Sequence, residues 1–213
     1  MNTSPPLIAT PRLRLRPPRL TDVDAVHAAK SALWPELQRY MSWASDDQAG
    51  HDATEAFIRS SIDGLAQIRD AGVAHDLPIL GFDRATGDFV LSTGLHGTSC
   101  DSCPALGYWV SGACQGLGYA TEAANALIRF AFGAWGVERV SICHFSGNDA
   151  SRRVIEKLGF TPTVCVLRAH RSFFDGAVMH EHRYVMDDPS VLPPLEVSWS
   201  EHPPATLSTG SQT

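Results

Sequence analysis

Two stretches of this 213-residue chain combine residue types that could do chemistry. The first is Ser111-Gly112-Ala113-Cys114-Gln115-Gly116-Leu117-Gly118, which follows an apolar run, Leu106 to Val110, and precedes a helical pattern. A glycine-rich turn that feeds a helix leaves several backbone N–H groups without intrahelical partners. Together with the positive end of the helix dipole they form an anion site that suits a pyrophosphate. Gly116 and Gly118 would let the backbone approach the phosphates with no Cβ in the way. A tight strand-to-helix turn that binds nothing would use the same glycines. Two other phosphate-binding turns do not fit. A dinucleotide turn wants Gly-x-Gly-x-x-Gly, and the third position here is Thr121. A kinase-type P-loop needs Gly-Lys-Ser/Thr, which is absent.

The second stretch holds Asn148 and Ser151. Asn148 falls between a strand pattern and a helix pattern, the position of an N-cap, and Ser151 reads equally as an ordinary first-turn serine. Cys100-x-x-Cys103 with His96 nearby invites a zinc reading, but a closed site needs four ligands and no second Cys/His cluster accompanies the pair. No metal is expected. Arg168, Arg171 and Arg183 read as a solvated strand face.

The elements that must position these residues follow from periodicity. Arg12-Leu13-Arg14-Leu15-Arg16 alternates as a strand with one buried face, ended by Pro17-Pro18. Thr21 and Asp24 have capping-box spacing and open a helix to about Ala32, where Trp34-Pro35 breaks it. The stretch from Trp34 to Gly50 reads as a loop or short helix. Asp52 and Glu55 start a second helix, with Ile58, Ile62 and Leu65 on one face and Gly72 as its stop. Strands are expected at Leu77–Arg84 and Asp88–Leu95 around the turn Ala85-Thr86-Gly87, and at Leu106–Val110. After the glycine turn, Ala123, Leu127, Phe130 and Ala131 form one helical face. A strand at Arg139–His144, a helix from Asp149 to Leu158 ended by Gly159, and strands near Thr163–His170 and Glu181–Met186 around Asp175-Gly176 complete the pattern. The order is β-α-α-β-β-β-α-β-α-β-β, a mixed α/β domain over residues 1–186. Residues 187–213 are rich in Pro, Ser and Thr and are expected to be a disordered tail.

Composition bounds the class. The chain is 44% hydrophobic, enough for one α/β domain with a core, and no apolar run nears the ~20 residues of a membrane span. Met1 to Pro6 lacks the layout of a secretory signal, and five scattered cysteines do not form a disulfide framework, so a cytoplasmic location is expected. A net charge of −6 and a pI of about 5.8 argue against a nucleic-acid partner. No membrane partner is expected either.

Gln115-Gly116-Leu117-Gly118-Tyr119-Ala120 matches the Gln/Arg-x-x-Gly-x-Gly/Ala signature of the GNAT superfamily of N-acetyltransferases, which this chain resembles. Gly94-Leu95-His96, Leu106 to Val110, Gln115 to Ala123, Asn148-Asp149-Ala150-Ser151 and Glu156 to Phe160 occur in family order. Thr10 to Arg16 and Tyr119 to Ala123 are similar to the RimJ/RimL branch, which contains ribosomal-protein N-acetyltransferases and also enzymes that acetylate small amines. The resemblance covers the chain from about residue 8 to residue 188. It implies a V-split mixed sheet whose Leu106–Val110 strand pairs with the pantetheine arm of acetyl-CoA. The cofactor-binding residues it implies are Trp109, Val110, Gln115, Gly116, Gly118, Tyr119, Ala120, Thr121 and Asn148. It implies Ser151 as the catalytic group that protonates the leaving thiolate, with direct transfer and no covalent enzyme intermediate, so that Cys114 and Cys143 need not be nucleophiles. Because the region after the first helix faces substrate in such proteins, Trp34, Tyr40, Trp43 and His96 are candidates for the acceptor pocket, although the aromatics could equally be core.

The general base is missing from its expected place. Relatives often carry a carboxylate where this chain has Ala105, which leaves His96, His170 and Glu181 as candidate substitutes, each of which also reads as a structural or surface residue. An α-amine with a pKa of ~7.7–8.0 is about 10–20% neutral at pH 7, against about 0.04% for a free lysine. The loss therefore favours a low-pKa acceptor. Three functions follow: acetylation of a protein N-terminus, acetylation of a small amine such as an antibiotic, polyamine or amino-acid derivative, or acyl-CoA binding without catalysis. A homodimer is an expectation of the resemblance alone.

Overall fold

The computed structural model describes residues 7–71, 76–97 and 103–200. Its centre is one nine-stranded mixed sheet. In chain order the elements are β1 (Leu7–Ala9), β2 (Leu13–Arg16), α1 (Val23–Ala32), α2 (Trp34–Tyr40), α3 (His51–Ala71), β3 (Asp76–Asp83), β4 (Phe89–His96) and β5 (Ala105–Val110). They continue as α4 (Tyr119–Phe130), β6 (Val140–Phe145), α5 (Asp149–Leu158), β7 (Thr161–Arg171), β8 (Val178–Met186) and β9 (Ser198–Ser200). Across the sheet the strands run β7-β8-β6-β5-β4-β3-β2-β1-β9.

The alternation in β2 does what its pattern predicts: Leu13 and Leu15 are fully buried and Arg14 is exposed. In β3 the two faces serve two cores. Leu77 and Ile79 join the main core with α4 and α5, while Leu80 and Phe82 pack with Val23, Val26 and Ile58 of α1 and α3 on the other side. The sheet is thus covered on both faces, and α4 buries Ala123, Leu127 and Phe130 as its spacing requires, with Ala131 buried at its C-cap.

Several boundaries differ from the sequence expectation. Asp22 rather than Thr21 occupies the N-cap position of α1, but its side chain does not cap that helix: it accepts from the Arg19 N–H at 2.7 Å, closing the turn before α1, and takes two 2.7 Å bonds from the Arg16 guanidinium. Trp34-Pro35 starts α2, since proline is tolerated in a first helical turn. The stop assigned to Gly72 lies outside the described residues, as does Cys100 of the cysteine pair. Residues 187–200, expected to begin a disordered tail, instead cover α4. Leu192 is buried, Asn125 Nδ2 donates to the Pro193 carbonyl at 2.9 Å, Trp199 packs edge-on to Phe130, and β9 pairs with β1. Composition concealed this because Leu192, Leu195, Val197 and Trp199 are few, yet every one packs on the main core.

The feature that shapes the site is the junction of β5 and β6. These parallel strands pair only at Ala105↔Ser141 and Leu106↔Ile142, then part. Ser111 N–H donates to Val90 on the β4 side, and Pro104 O accepts from Ser141 on the β6 side. Backbone alternation therefore turns the polar groups of Tyr108 and Val110 toward the gap.

Candidate active site

The gap opens into a cavity of about 1150 Å³. Its walls are Gly107 to Val110 of β5, Ile142 to Phe145 of β6, the glycine turn, the start of α5, and parts of α1, α2 and α3.

At one end lies the glycine turn. Gly116 has φ +73° and Gly118 φ +85°, and Gly118 is the N-cap of α4. The left-handed backbone, more than crowding, is what demands glycine: no protein atom lies within 4 Å of where a Cβ of Gly116 would be, and at Gly118 the nearest is Arg12 Nη2 at 3.5 Å. Among the described residues, none accepts from the N–H groups of Gly116 through Thr121. Six consecutive donors at a twelve-residue helix's positive end fit a pyrophosphate. The turn is braced from below. Glu122 is buried and accepts from Thr10 Oγ1 at 2.6 Å, Arg12 N at 3.0 Å and Arg12 Nε at 2.6 Å, while Arg12 Nη1 donates to Leu117 O at 2.9 Å. Tyr119 contributes its backbone only; its hydroxyl donates to Asp83 at 2.7 Å, which holds the Asp83 carboxyl below its ordinary value. The Gln115 side chain reaches Glu36 of α2 at 3.2 Å and Val110 O at 3.5 Å, across the cavity rim.

At the middle stand Asn148 and Ser151. Asn148 Oδ1 caps α5 by accepting from Ser151 N at 3.1 Å, which leaves its Nδ2 without a partner among the described residues. Ser151 Oγ is 3.1 Å from the Tyr108 hydroxyl, so the two side chains bridge β5 and α5 across the gap. Burial pushes the Tyr108 phenol up to about 12, opposed by the Ser151 bond. Cys143 is exposed and faces the cavity; partial loss of water among its walls, with the Glu181 carboxylate beside it, pushes its thiol up to about 12, which disfavours the thiolate.

Tyr40, Trp43, His170 and Glu181 also line the cavity. Glu181 accepts two 2.9 Å bonds from Arg183, which hold its carboxyl below the usual range. His170 is stacked on Phe145 with ring centroids 4.4 Å apart, and burial lowers its pKa, the Arg39 backbone opposing. Its Nε2 is buried with no hydrogen-bond partner among the described residues.

Thirteen of the fourteen expected site residues therefore line one cavity: Tyr40, Trp43, His96, Trp109, Val110, Gln115, Gly116, Gly118, Tyr119, Ala120, Thr121, Asn148 and Ser151. Trp34 does not. Its ring is directed to Trp43 at 6.3 Å and sits under Lys30 Nζ at 5.5 Å, so it braces α2 against α1. His96 lies at the rim, half exposed and 3.5 Å from Asp76. Tyr108 was missed, although it stands between two residues of a quoted motif and strand alternation alone would have set it apart from Trp109. Among the described residues, no group of three or more His, Cys, Asp or Glu is arranged to hold a metal ion, and no helix is long and apolar enough to cross a membrane.

A family model described as an acetyltransferase (GNAT) domain matches residues 12–161. YdaF of Bacillus subtilis (strain 168), whose name provisionally assigns it as a ribosomal N-acetyltransferase, is 42% identical over 55 residues; the match spans 26% of this chain and 30% of YdaF. Similar solved structures include RimL, a ribosomal L7/L12 alpha-N-protein acetyltransferase in complex with coenzyme A, at a TM-score of 0.73 and 19% identity over 85% of this chain and 97% of that one. Mycobacterium smegmatis RimJ with CoA-disulfide scores 0.70 at 20% identity, covering 85% of each chain. The microcin C7 self-immunity acetyltransferase MccE, with acetyl-CoA and AMP, scores 0.70 at 19% identity over 84% of this chain and 93% of MccE. At such identities the likeness is one of fold.

Proposed function

The chain belongs to the acetyltransferase (GNAT) family, and we propose that it moves the acetyl group of acetyl-CoA to a protein N-terminal α-amine by direct transfer in a ternary complex. The observation that carries the proposal is the run of unpaired N–H groups from Gly116 to Thr121 leading into the β5–β6 gap, with a hydroxyl pair at the gap's centre. Acetyl-CoA would supply the activated thioester. The donors of the glycine turn would hold its pyrophosphate, the backbone of Tyr108 and Val110 would pair with the extended pantetheine arm, and Asn148 Nδ2 would fix that arm from the α5 side. Arg153 and Lys157 line the cavity as further cations for phosphate.

In this arrangement the acceptor enters past Tyr40 and Trp43, which line the cavity. Its neutral nitrogen attacks the thioester carbonyl, polarised by a backbone N–H in the gap. His170 takes the nitrogen's proton. Of the three substitutes for the missing carboxylate, His96 is paired with Asp76 and Glu181 with Arg183, whereas His170 is held neutral and has an unpartnered nitrogen. Ser151 delivers a proton to the leaving sulfur, a contribution of about 10²–10⁴-fold for such groups.

The names of RimL and YdaF favour a ribosomal-protein N-terminus as acceptor. MccE, with AMP, favours a small amine built on a nucleotide. CoA release measured by thiol detection over N-terminal peptides and small amines separates them. Turnover on peptides alone supports the proposal; turnover on small amines alone replaces it with the second acceptor class, and tight acetyl-CoA binding with no turnover makes the protein a binding module.

A further inference from the structure

A serine hydroxyl by itself is a poor source of the proton that a departing thiolate needs. An aliphatic hydroxyl is about as weak an acid as water, ~15.7, whereas a thiol is ~8.5, so the transfer runs uphill by about seven powers of ten. The neighbour of Ser151 changes that balance. The Tyr108 phenol lies 3.1 Å from Ser151 Oγ and makes no other hydrogen bond among the described residues. The other three tyrosines are committed elsewhere: Tyr40 donates to Gly147 O, Tyr119 to Asp83, and Tyr184 bonds to His144 Nε2. Asn148 fixes the Ser151 backbone, and Tyr108 is set by its place in β5 opposite Thr93. Neither hydroxyl needs to move for a proton to pass between them.

Resting on Ser151 as the group that faces the leaving sulfur, we propose that Tyr108 is the proton reservoir behind it, a positioning residue that donates to Ser151 Oγ as Ser151 donates to sulfur. As the C–N bond forms and the C–S bond breaks, the bonding pair stays on sulfur and takes the Ser151 proton. The Tyr108 proton passes to the Ser151 oxygen, and the proton that His170 takes from the acceptor nitrogen returns to the phenol through water, so no net proton is consumed. With the phenol at about 12, the uphill run shortens to three or four powers of ten. The high value also keeps the phenol protonated throughout the neutral range.

The test is a double-mutant cycle in kcat at saturating acetyl-CoA, with acetyl-CoA affinity measured alongside by calorimetry. Ser151→Ala and Tyr108→Phe should each lower kcat by about tenfold or more, with affinity within about twofold of wild type. The double variant should be no slower than Ser151→Ala alone, because the two act as one unit. Incorporating 3,5-difluorotyrosine at position 108 should restore kcat and move the alkaline limb of the pH–rate profile to lower pH, which a structural hydrogen bond would not do. Wild-type kcat in Tyr108→Phe beside an impaired Ser151→Ala overturns the reservoir and leaves Ser151 in place. Wild-type kcat in Ser151→Ala overturns both, and losses that multiply in the double variant separate the two residues. Should Tyr108→Phe fail to fold, an unmoved pH profile in the fluorinated protein still decides against the reservoir.

Discussion

Gly118→Ala isolates the contribution of the turn. The substitution adds one methyl group whose nearest neighbour would be Arg12 Nη2 at 3.5 Å, ordinary contact at the end of a flexible side chain. Crowding therefore contributes little, and the cost is that of holding an L-residue at φ +85°, about 1–2 kcal/mol. That energy must appear in one of two places. If the turn keeps its shape, the protein is less stable by that amount, a drop in Tm of about 2–8 °C at this chain length. If the turn relaxes to a negative φ, the N–H groups from Gly116 to Thr121 no longer converge, and acetyl-CoA affinity falls about 5–30-fold instead. Thermal melts without ligand and calorimetric titration with acetyl-CoA read the two outcomes side by side. Gly50→Ala is the control, since Gly50 has no positive φ and no atom within 4 Å of a new Cβ. A Gly118→Ala protein that matches wild type in both measurements would refute the argument.

Three further perturbations follow from the same geometry. Glu122→Ala removes the buried acceptor shared by Thr10 Oγ1, the Arg12 N–H and Arg12 Nε, leaving Thr10 only its bonds with Leu13, and should cost about 1–3 kcal/mol in urea unfolding while weakening acetyl-CoA binding; unchanged unfolding would show that the brace is idle. Burial holds His144 and His170 below the ordinary 6.5, so the unfolded chain binds more protons than the folded one once pH falls past that value. Stability should be full above pH 6.5 and decline below it, more shallowly in His144→Gln, and equal urea midpoints at pH 7.5 and 5.5 would contradict this. His170→Gln should lower kcat/KM for the acceptor by about tenfold or more at pH 7, with the deficit shrinking as the amine deprotonates at higher pH; an unaltered profile would give the proton to water instead.

Local chemistry made most of the site readable before the fold was known. The glycine turn announced itself because left-handed backbone and free helix-end donors both call for glycine, and Asn148 because a cap must sit between strand and helix. What stayed hidden depends on distance in sequence. The Tyr108–Ser151 bond joins residues 43 positions apart, and the Glu122 brace joins residues 112 and 110 apart, so no periodicity could pair them. His170 and Glu181 could be named as bases but not ranked, because the burial of His170 against Phe145 exists only once β7 and β8 pack beside β6. Trp34 stayed open between core and pocket for a related reason: an aromatic on a short helix can point to solvent, core or pocket, and its neighbours decide. The segment from 187 to 200 was misjudged by averaging, since Leu192, Leu195, Val197 and Trp199 suffice to anchor it on the main core.

The most direct test of the central claim uses one peptide that carries both a free N-terminal α-amine and an internal lysine. The protein is incubated with acetyl-CoA and this peptide, and the modified nitrogen is located by tandem mass spectrometry. Acetyl found on the α-amine alone, formed in step with CoA release, is the predicted result. Acetyl on the lysine, or no transfer to peptides while acetyl-CoA is bound, would contradict it.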